Sequence, residues 1–336
     1  MLTLIVPGLI WPRQALADLT HDLPLPAFTT LLGRGRLTPS PAQDATAMLA
    51  ASAGLEGPLP AAALRLLALR GETDAADWLC LDPVRLHFHE RSLIVEDARH
   101  LQLSDAEAAE LAVSLAPTLA ALGELEVLAP DMWNLRLAAA APSFPDLRQA
   151  AGRSAAPLPA GAAYAPWRHA LNETQMILHA HPVNRAREAA ARPLVNSLWP
   201  WGGGRLPQSA ASPHRVLWSS DPVARGIARL LRIEHAALPP GFDAARGEAP
   251  LAIIDALDGP ARSGDAMLWR DELARFEVEW LAPVLNALRA GRLAGLRLLA
   301  PDSHGSVELQ VARRDMWRFW RKPRTLADAL TGTGPT

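Results

Sequence analysis

The chain has 336 residues, 49% of them apolar and 20% charged, with a formal net charge of −2. That length allows one large α/β domain with an inserted segment, or two modest domains, and supplies ample apolar material for a core. The near-neutral balance excludes a global field that would recruit nucleic acid or anionic lipid, and the single cysteine, Cys80, excludes an internal disulfide and any cysteine-rich metal site.

The first element is the apolar run Leu2 to Val6, closed by Pro7-Gly8, which reads as a strand buried on both faces of a parallel sheet. No basic segment precedes it and Pro7 and Pro12 interrupt it, which argues against a signal peptide. A helix follows near 41–55. Residues 84–103 alternate apolar and polar side chains around a break, as an antiparallel hairpin does. Ser104 and Glu107 then form a capping-box signature at the head of a helix, and 125–139 reads as a second hairpin. After the Pro-rich connection "GRSAAPLPAGAAYAP", helical periodicity returns at 221–233 and 269–291, and buried strands return at 251–257 and 293–301. Strands alternating with helices predict βαβ units. The expected plan is therefore an α/β core built from 1–82 and 171–325, an α+β subdomain at 83–170, and a flexible tail at 326–336. No run reaches the ~18 apolar residues of a bilayer span.

The segment "ILHAHPVNRAREAAARPLVNSLWPWGGGRLP" resembles the stretch that re-enters the core domain of archaeal-type, cofactor-independent phosphoglycerate mutases. The chain also looks like the RpfE-type bacterial regulatory proteins, with their Leu-Trp-x-Trp-Gly-Gly-Gly sequence and aromatic, Arg-rich tail. Both resemblances imply the alkaline-phosphatase-like fold, a three-layer core with a mostly parallel sheet and an inserted α+β subdomain. They also imply two divalent metals held by Asp and His beside a serine nucleophile.

This sequence departs from that pattern. Pro7 stands where the first strand should supply a carboxylate, and the stretch resembling the nucleophile loop, "GPLPAAALRLLALRG", offers alanine in place of serine. "DALDGPARSGD" keeps Asp258 but has Arg262 where the resemblance places a histidine. "APDSHGS" keeps Asp302, followed by Ser303, with His304 one position late. Arg262 would either pair a carboxylate and fill the charge vacated by a metal, or leave an anion pocket. The implied function is a catalytically degenerate, cytoplasmic regulatory or ligand-sensing protein. The alternative is a phosphomutase or phosphatase using manganese, zinc or magnesium through Asp258, Asp302 and His304; otherwise no cofactor is expected. The expected partner is a protein or a small anionic ligand, with no membrane, and nucleic acid is disfavoured.

Other signals admit two readings each. Gly202, Gly203 and Gly204 with Arg205 are either an anion cradle or a turn forced against a neighbouring strand. His181, Asn184 and Arg187, spaced by three, either face a phosphorylated ligand or serve as a helix cap and ion pair. His87 and His89 point to one side of a strand but lack a third metal ligand. Ser303-His304 beside Asp302 has no nucleophile elbow to make it a triad. In "RRDMWRFWRKPR", Trp317, Phe319 and Trp320 either stack on bases or pack on the sheet edge.

Overall fold

The computed structural model describes residues 1–11, 13–55, 57–89, 92–97, 101–152, 158–207, 211–243, 249–302 and 305–331. The chain forms two compact units, the first made of Met1–Gly57 with Ser209–Thr336, the second of Pro58–Gln208. It enters with β1 (Leu2–Ile5) and β2 (Arg36–Ser40). It then runs through β3 (Trp78–His89), β4 (Ser92–Asp97), β5 (Gly123–Ala129), β6 (Met132–Leu137) and β7 (Ser197–Gly204) of the second unit. It returns with β8 (Val216–Trp218), β9 (Glu234–Ala236), β10 (Pro250–Ile253), β11 (Gly295–Ala300) and β12 (Ser306–Ala312).

The first unit holds a seven-stranded sheet in the order β2-β12-β11-β1-β10-β8-β9. Strands β11, β1, β10, β8 and β9 are parallel, and β12 and β2 extend one edge antiparallel. The unit is thus mixed α/β with a mostly parallel sheet. β1 lies between β10 and β11 with all four of its residues buried, which is why its sequence is an unbroken apolar run. The long helix expected at 269–291 is Ala266–Phe276, one π turn at Glu277–Leu281, and Ala282–Arg289. Its stripe of Trp269, Leu273, Phe276, Trp280, Leu281, Val284 and Leu288 is buried. Where a flexible tail was expected from 326, a helix runs Leu326–Thr331, because Leu326, Ala329 and Leu330 bury themselves in the same core.

The second unit carries a five-stranded antiparallel sheet, β4-β3-β6-β5 with β7 added on β3. Both expected hairpins form, β3 with β4 and β5 with β6. The Ser104–Glu107 capping box opens the helix Asp105–Leu119. Its core gathers Leu79, Leu81, Leu111, Leu115, Trp133 and Leu198. The expected boundaries at 82/83 and 170/171 fall at 57/58 and 208/209 instead, because helix Ala61–Arg70, the first half of β3 and the whole of β7 pack and pair with one another.

Candidate functional site

In a parallel sheet, loops leaving the carboxyl ends of adjacent strands converge on one edge, where α/β folds commonly bind ligands. In the first unit that edge carries Pro7-Gly8 after β1, Asp255 to Arg262 after β10, and Asp302 after β11. Gly8 has φ +74°, and a Cβ there would stand 2.4 Å from the Leu257 carbonyl oxygen and 2.7 Å from Asp258 Cα. Its own carbonyl accepts the Trp269 indole N–H at 2.7 Å. Pro7-Gly8 therefore lies directly against the head of the short helix Asp258–Ser263.

That helix presents Asp258 and Arg262 on one face, and the Arg262 Nη2 donates to Asp258 Oδ2, with Nε reaching the Asp258 carbonyl at 3.4 Å. The two side chains keep 16% and 29% of their exposure. The pair is thus partly shielded from solvent. Asp302 is held by backbone: its N–H donates to Ser306 Oγ at 3.1 Å, a hydroxyl that also binds Gln43. Ser303 and His304 lie outside the described residues. Two divalent ions would need carboxylates and imidazoles from several of these loops. The β1 loop contributes Pro7 and Gly8, which supply no side-chain ligand, Asp258 is ion-paired, and no three His, Cys, Asp or Glu side chains gather among the described residues. Among the described residues the donor set does not fit a two-metal centre.

The other predicted residues lie in the second unit. His181 caps the helix Pro182–Ala189, its Nδ1 accepting from Val183 N–H at 3.2 Å, which leaves Nε2 to donate to Ser114 Oγ at 2.9 Å. Asn184 donates to the carbonyls of Leu178 and Val195 at 2.7 and 2.6 Å and accepts from Val195 N–H at 3.0 Å. The Arg187 side chain is fully buried; it donates to Pro193 O at 2.7 Å, Glu107 Oε1 at 2.9 Å and Leu101 O. Hydrogen bonds and ion pairing hold the Glu107 carboxyl below its ordinary value although burial pushes the other way. His181 and Arg187 tie the chain at 178–195 to the helix Asp105–Leu119, and Asn184 closes that stretch on itself.

Gly202, Gly203 and Gly204 end β7 beside β3. A Cβ on Gly202, which has φ +59°, would meet Ala61 Cβ at 2.6 Å, and one on Gly203 would meet Leu79 Cδ1 at 2.8 Å. Arg205 forks onto Asp77 at 2.6 and 2.8 Å. The run is thus made of glycine because helix Ala61–Arg70 and β3 press against it. His87 sits in β3 with Nδ1 buried.

Sequence reasoning missed a buried charge cluster in the second unit. Asp82, 1% exposed, accepts from Arg65 Nη1 at 2.8 Å, Trp133 N–H at 3.0 Å and Trp201 Nε1 at 2.8 Å. The guanidinium carbons of Arg65 and Arg148 stand 4.7 and 5.0 Å from the Trp201 ring centre. Nothing in the spacing of 65, 82 and 201 foretells this, since three elements distant in sequence bring them together. A half-open cleft of about 450 Å³ lies nearby in the chain, lined by Leu66, Arg70, Glu72, Thr73, Asp74 and Trp78. Its Asp74 carboxylate is held by Trp78 Nε1 at 2.8 Å and Arg136 Nε at 3.1 Å.

Trp317, Phe319 and Trp320 do not pack on the sheet edge; they are 75, 78 and 68% exposed.

Among solved structures, the chain is similar to the PH0037 protein from Pyrococcus horikoshii, with 12% identity over 93% of this chain and 87% of that one, at a TM-score of 0.52. It is also similar to the cofactor-independent phosphoglycerate mutase from Thermoplasma acidophilum DSM 1728, with 18% identity over 98% and 94% of the two chains and a TM-score of 0.49. The likeness to PH0037 is one of fold. No protein-family model and no curated protein matches the sequence. No described helix is long and apolar enough to cross a membrane.

Proposed function

We propose that the chain is a phosphoglycerate-mutase-like protein of the alkaline-phosphatase-like group that has exchanged its metal site for an ion pair and serves as a cytoplasmic regulatory or ligand-sensing protein. One observation carries this reading: at the carboxyl edge of the parallel sheet, where the resemblance asks for metal ligands, Arg262 is bonded to Asp258. Pro7-Gly8, packed on the same short helix, supports it by supplying no ligand from β1. An arginine stays charged at any physiological pH and offers a planar fork to carboxylate or phosphate oxygens. A small anion arriving at this edge would compete with Asp258 for that fork, so binding releases the carboxylate and changes the charge the loop presents. That is a sensor's chemistry, requiring no bond to be made or broken.

The test is metal content by elemental analysis after dialysis against manganese, zinc and magnesium, for the protein and its Asp258→Asn and Asp302→Asn variants, with a phosphoglycerate mutase assay alongside. The expected result is substoichiometric metal in all three and no phosphoryl transfer. Stoichiometric metal that is lost in both variants would overturn the proposal in favour of an enzyme with an altered metal set. Calorimetric titration with inorganic phosphate and 3-phosphoglycerate then addresses the ligand: Arg262→Ala should weaken any binding at least tenfold.

A further inference from the structure

The segment 313–324 holds Arg313, Arg314, Arg318, Arg321, Lys322 and Arg324 against one carboxylate, Asp315. Asp315 is buried and engaged, accepting from Ala312 N–H at 2.8 Å and pairing with Arg318 at 3.1 Å. In a chain whose net charge is −2, this is a local and strongly cationic surface. Three large aromatic side chains rise from it, all more than two-thirds exposed.

The segment is anchored on both sides. The 3-10 turn Arg313–Trp317 is held by Arg34 Nη1 donating to the Met316 carbonyl at 2.8 Å. Further on, Arg324 N–H donates to Thr29 O at 3.0 Å, and the Lys322 and Pro323 backbone lies on Gly33, where a Cβ would stand 2.3 Å from the Lys322 oxygen. Between these anchors, N–H groups of Phe319 and Arg321 bond back to Trp317 and Arg318 at 2.9 and 3.0 Å. The fold therefore fixes a tight turn whose aromatic rings point to solvent, at a hydrophobic cost that a monomer in water gains nothing from.

We propose that this turn docks the protein on an anionic phospholipid surface. Trp and Phe partition into the headgroup region with their apolar bodies down, while exposed Arg and Lys interleaved with them along the same turn can meet the lipid phosphates, so charge and rings are offered by one short segment. A single nucleic-acid strand fits less well. Base stacking asks for ring faces laid along a groove, whereas Phe319 and Trp320 stand edge to face at 81° with centres 5.4 Å apart on one tight turn. The inference is independent of the proposed anion sensing.

Co-sedimentation of the full chain with phosphatidylcholine vesicles containing phosphatidylglycerol, at low salt, tests it. Vesicles of phosphatidylcholine alone serve as control. The expected result is binding that requires the anionic lipid, weakens as salt rises, and falls at least tenfold both in Trp317→Ala/Phe319→Ala/Trp320→Ala and in Arg314→Glu/Arg321→Glu/Lys322→Glu. All six side chains lie at the surface, so both variants should melt with the parent protein, and melting is checked first. No binding to anionic vesicles would overturn the proposal, as would binding that both variants retain. Tighter binding of single-stranded DNA through the same residues would reassign the surface to nucleic acid. A change of oligomeric state in the aromatic variant would reassign it to a second copy of the chain.

Discussion

At the scale of single residues, the polar groups that the sequence brought forward divide by how fully the fold engages them. Arg187 has its guanidinium wholly buried and bonded to one carboxylate and two carbonyls. Arg187→Ala removes a buried guanidinium and leaves the Leu101 and Pro193 carbonyls without that donor, so it should lower stability by about 3–5 kcal/mol in urea denaturation, while Glu107 keeps Arg192 and its capping bonds to Ser104. His214 gives a pH signature. It is 4% exposed, and burial holds its imidazole below the ordinary value of 6.5 despite a bond to the Ala249 carbonyl. Below pH 6.5 the unfolded chain takes up a proton that the fold resists. The stability His214 contributes is therefore present above about pH 6.5 and is lost as pH falls from there toward its lower folded value. Melting from pH 8 to pH 5 should show that loss in the parent protein and a flatter profile in His214→Gln. The sequence could show that His181, Asn184 and Arg187 belong to one helix start, because spacing is local. It could not show that their polar atoms are met within the unit, because Glu107, Ser114 and Val195 come from elsewhere in the chain.

At the scale of elements, what the sequence made legible was whatever a local period encodes. β1, β10 and β11 are short apolar runs, the Ser104 helix has its capping box, and both hairpins alternate as expected. β2 escaped because "RLTPS" is a polar edge strand whose Pro39 needs no ladder partner on its outer side. β7 escaped for a different reason: Pro200 and three glycines argue against a strand, yet among the described residues β7 pairs only with β3 and so tolerates a missing N–H. The glycines answer to contact. Gly202→Ala adds both a side chain at φ +59° and a 2.6 Å approach to Ala61 Cβ, so it should cost about 1–3 kcal/mol. Adding Ala61→Gly removes the contact and leaves the backbone strain. Recovery of part of the loss in the double variant, read from urea midpoints, would separate the two effects; no recovery would place the whole cost in the backbone.

The π turn Glu277–Leu281 is a further element-level feature that no period predicts. It carries Glu277, whose carboxylate accepts the N–H groups of Ala27 and Phe28 at 2.6 and 3.0 Å and so completes the helix Pro26–Arg34, where Leu25 offers no cap. Burial pushes the Glu277 carboxyl above its ordinary range.

At the scale of the whole molecule, the two units each own a hydrophobic cluster, one around β1 and the helix from Ala266, the other around β3 and the helix from Asp105. The second unit is a single continuous segment. Residues 58–208 expressed alone should therefore fold, giving one cooperative urea transition and the near-ultraviolet signal of buried Trp133 and Trp201. A fragment without a sigmoidal transition would show that the unit needs the rest of the chain. Sequence texture found two kinds of architecture along the chain but misplaced their boundary, because the segments at 58–82 and 171–208 look like core helices and strands wherever they pack. Only the pairing of β3 with β7 decides to which unit they belong.

Two residues that are singular in composition also fall on opposite units. Cys80 is fully buried in β3, where burial drives its thiol further from ionisation, and Lys322 is exposed on the cationic turn of the first unit. A maleimide can therefore react only when the second unit opens, so its rate at fixed reagent reports the open population where reclosing is fast, and the opening rate only once excess reagent makes the labelling rate level off. An amine reagent marks the cationic turn and the amino terminus in the native protein, and vesicles or ligands that cover the turn would slow it. The chain thus carries one chemical clock for the breathing of one unit and one footprint for the occupancy of the other, with no engineered label.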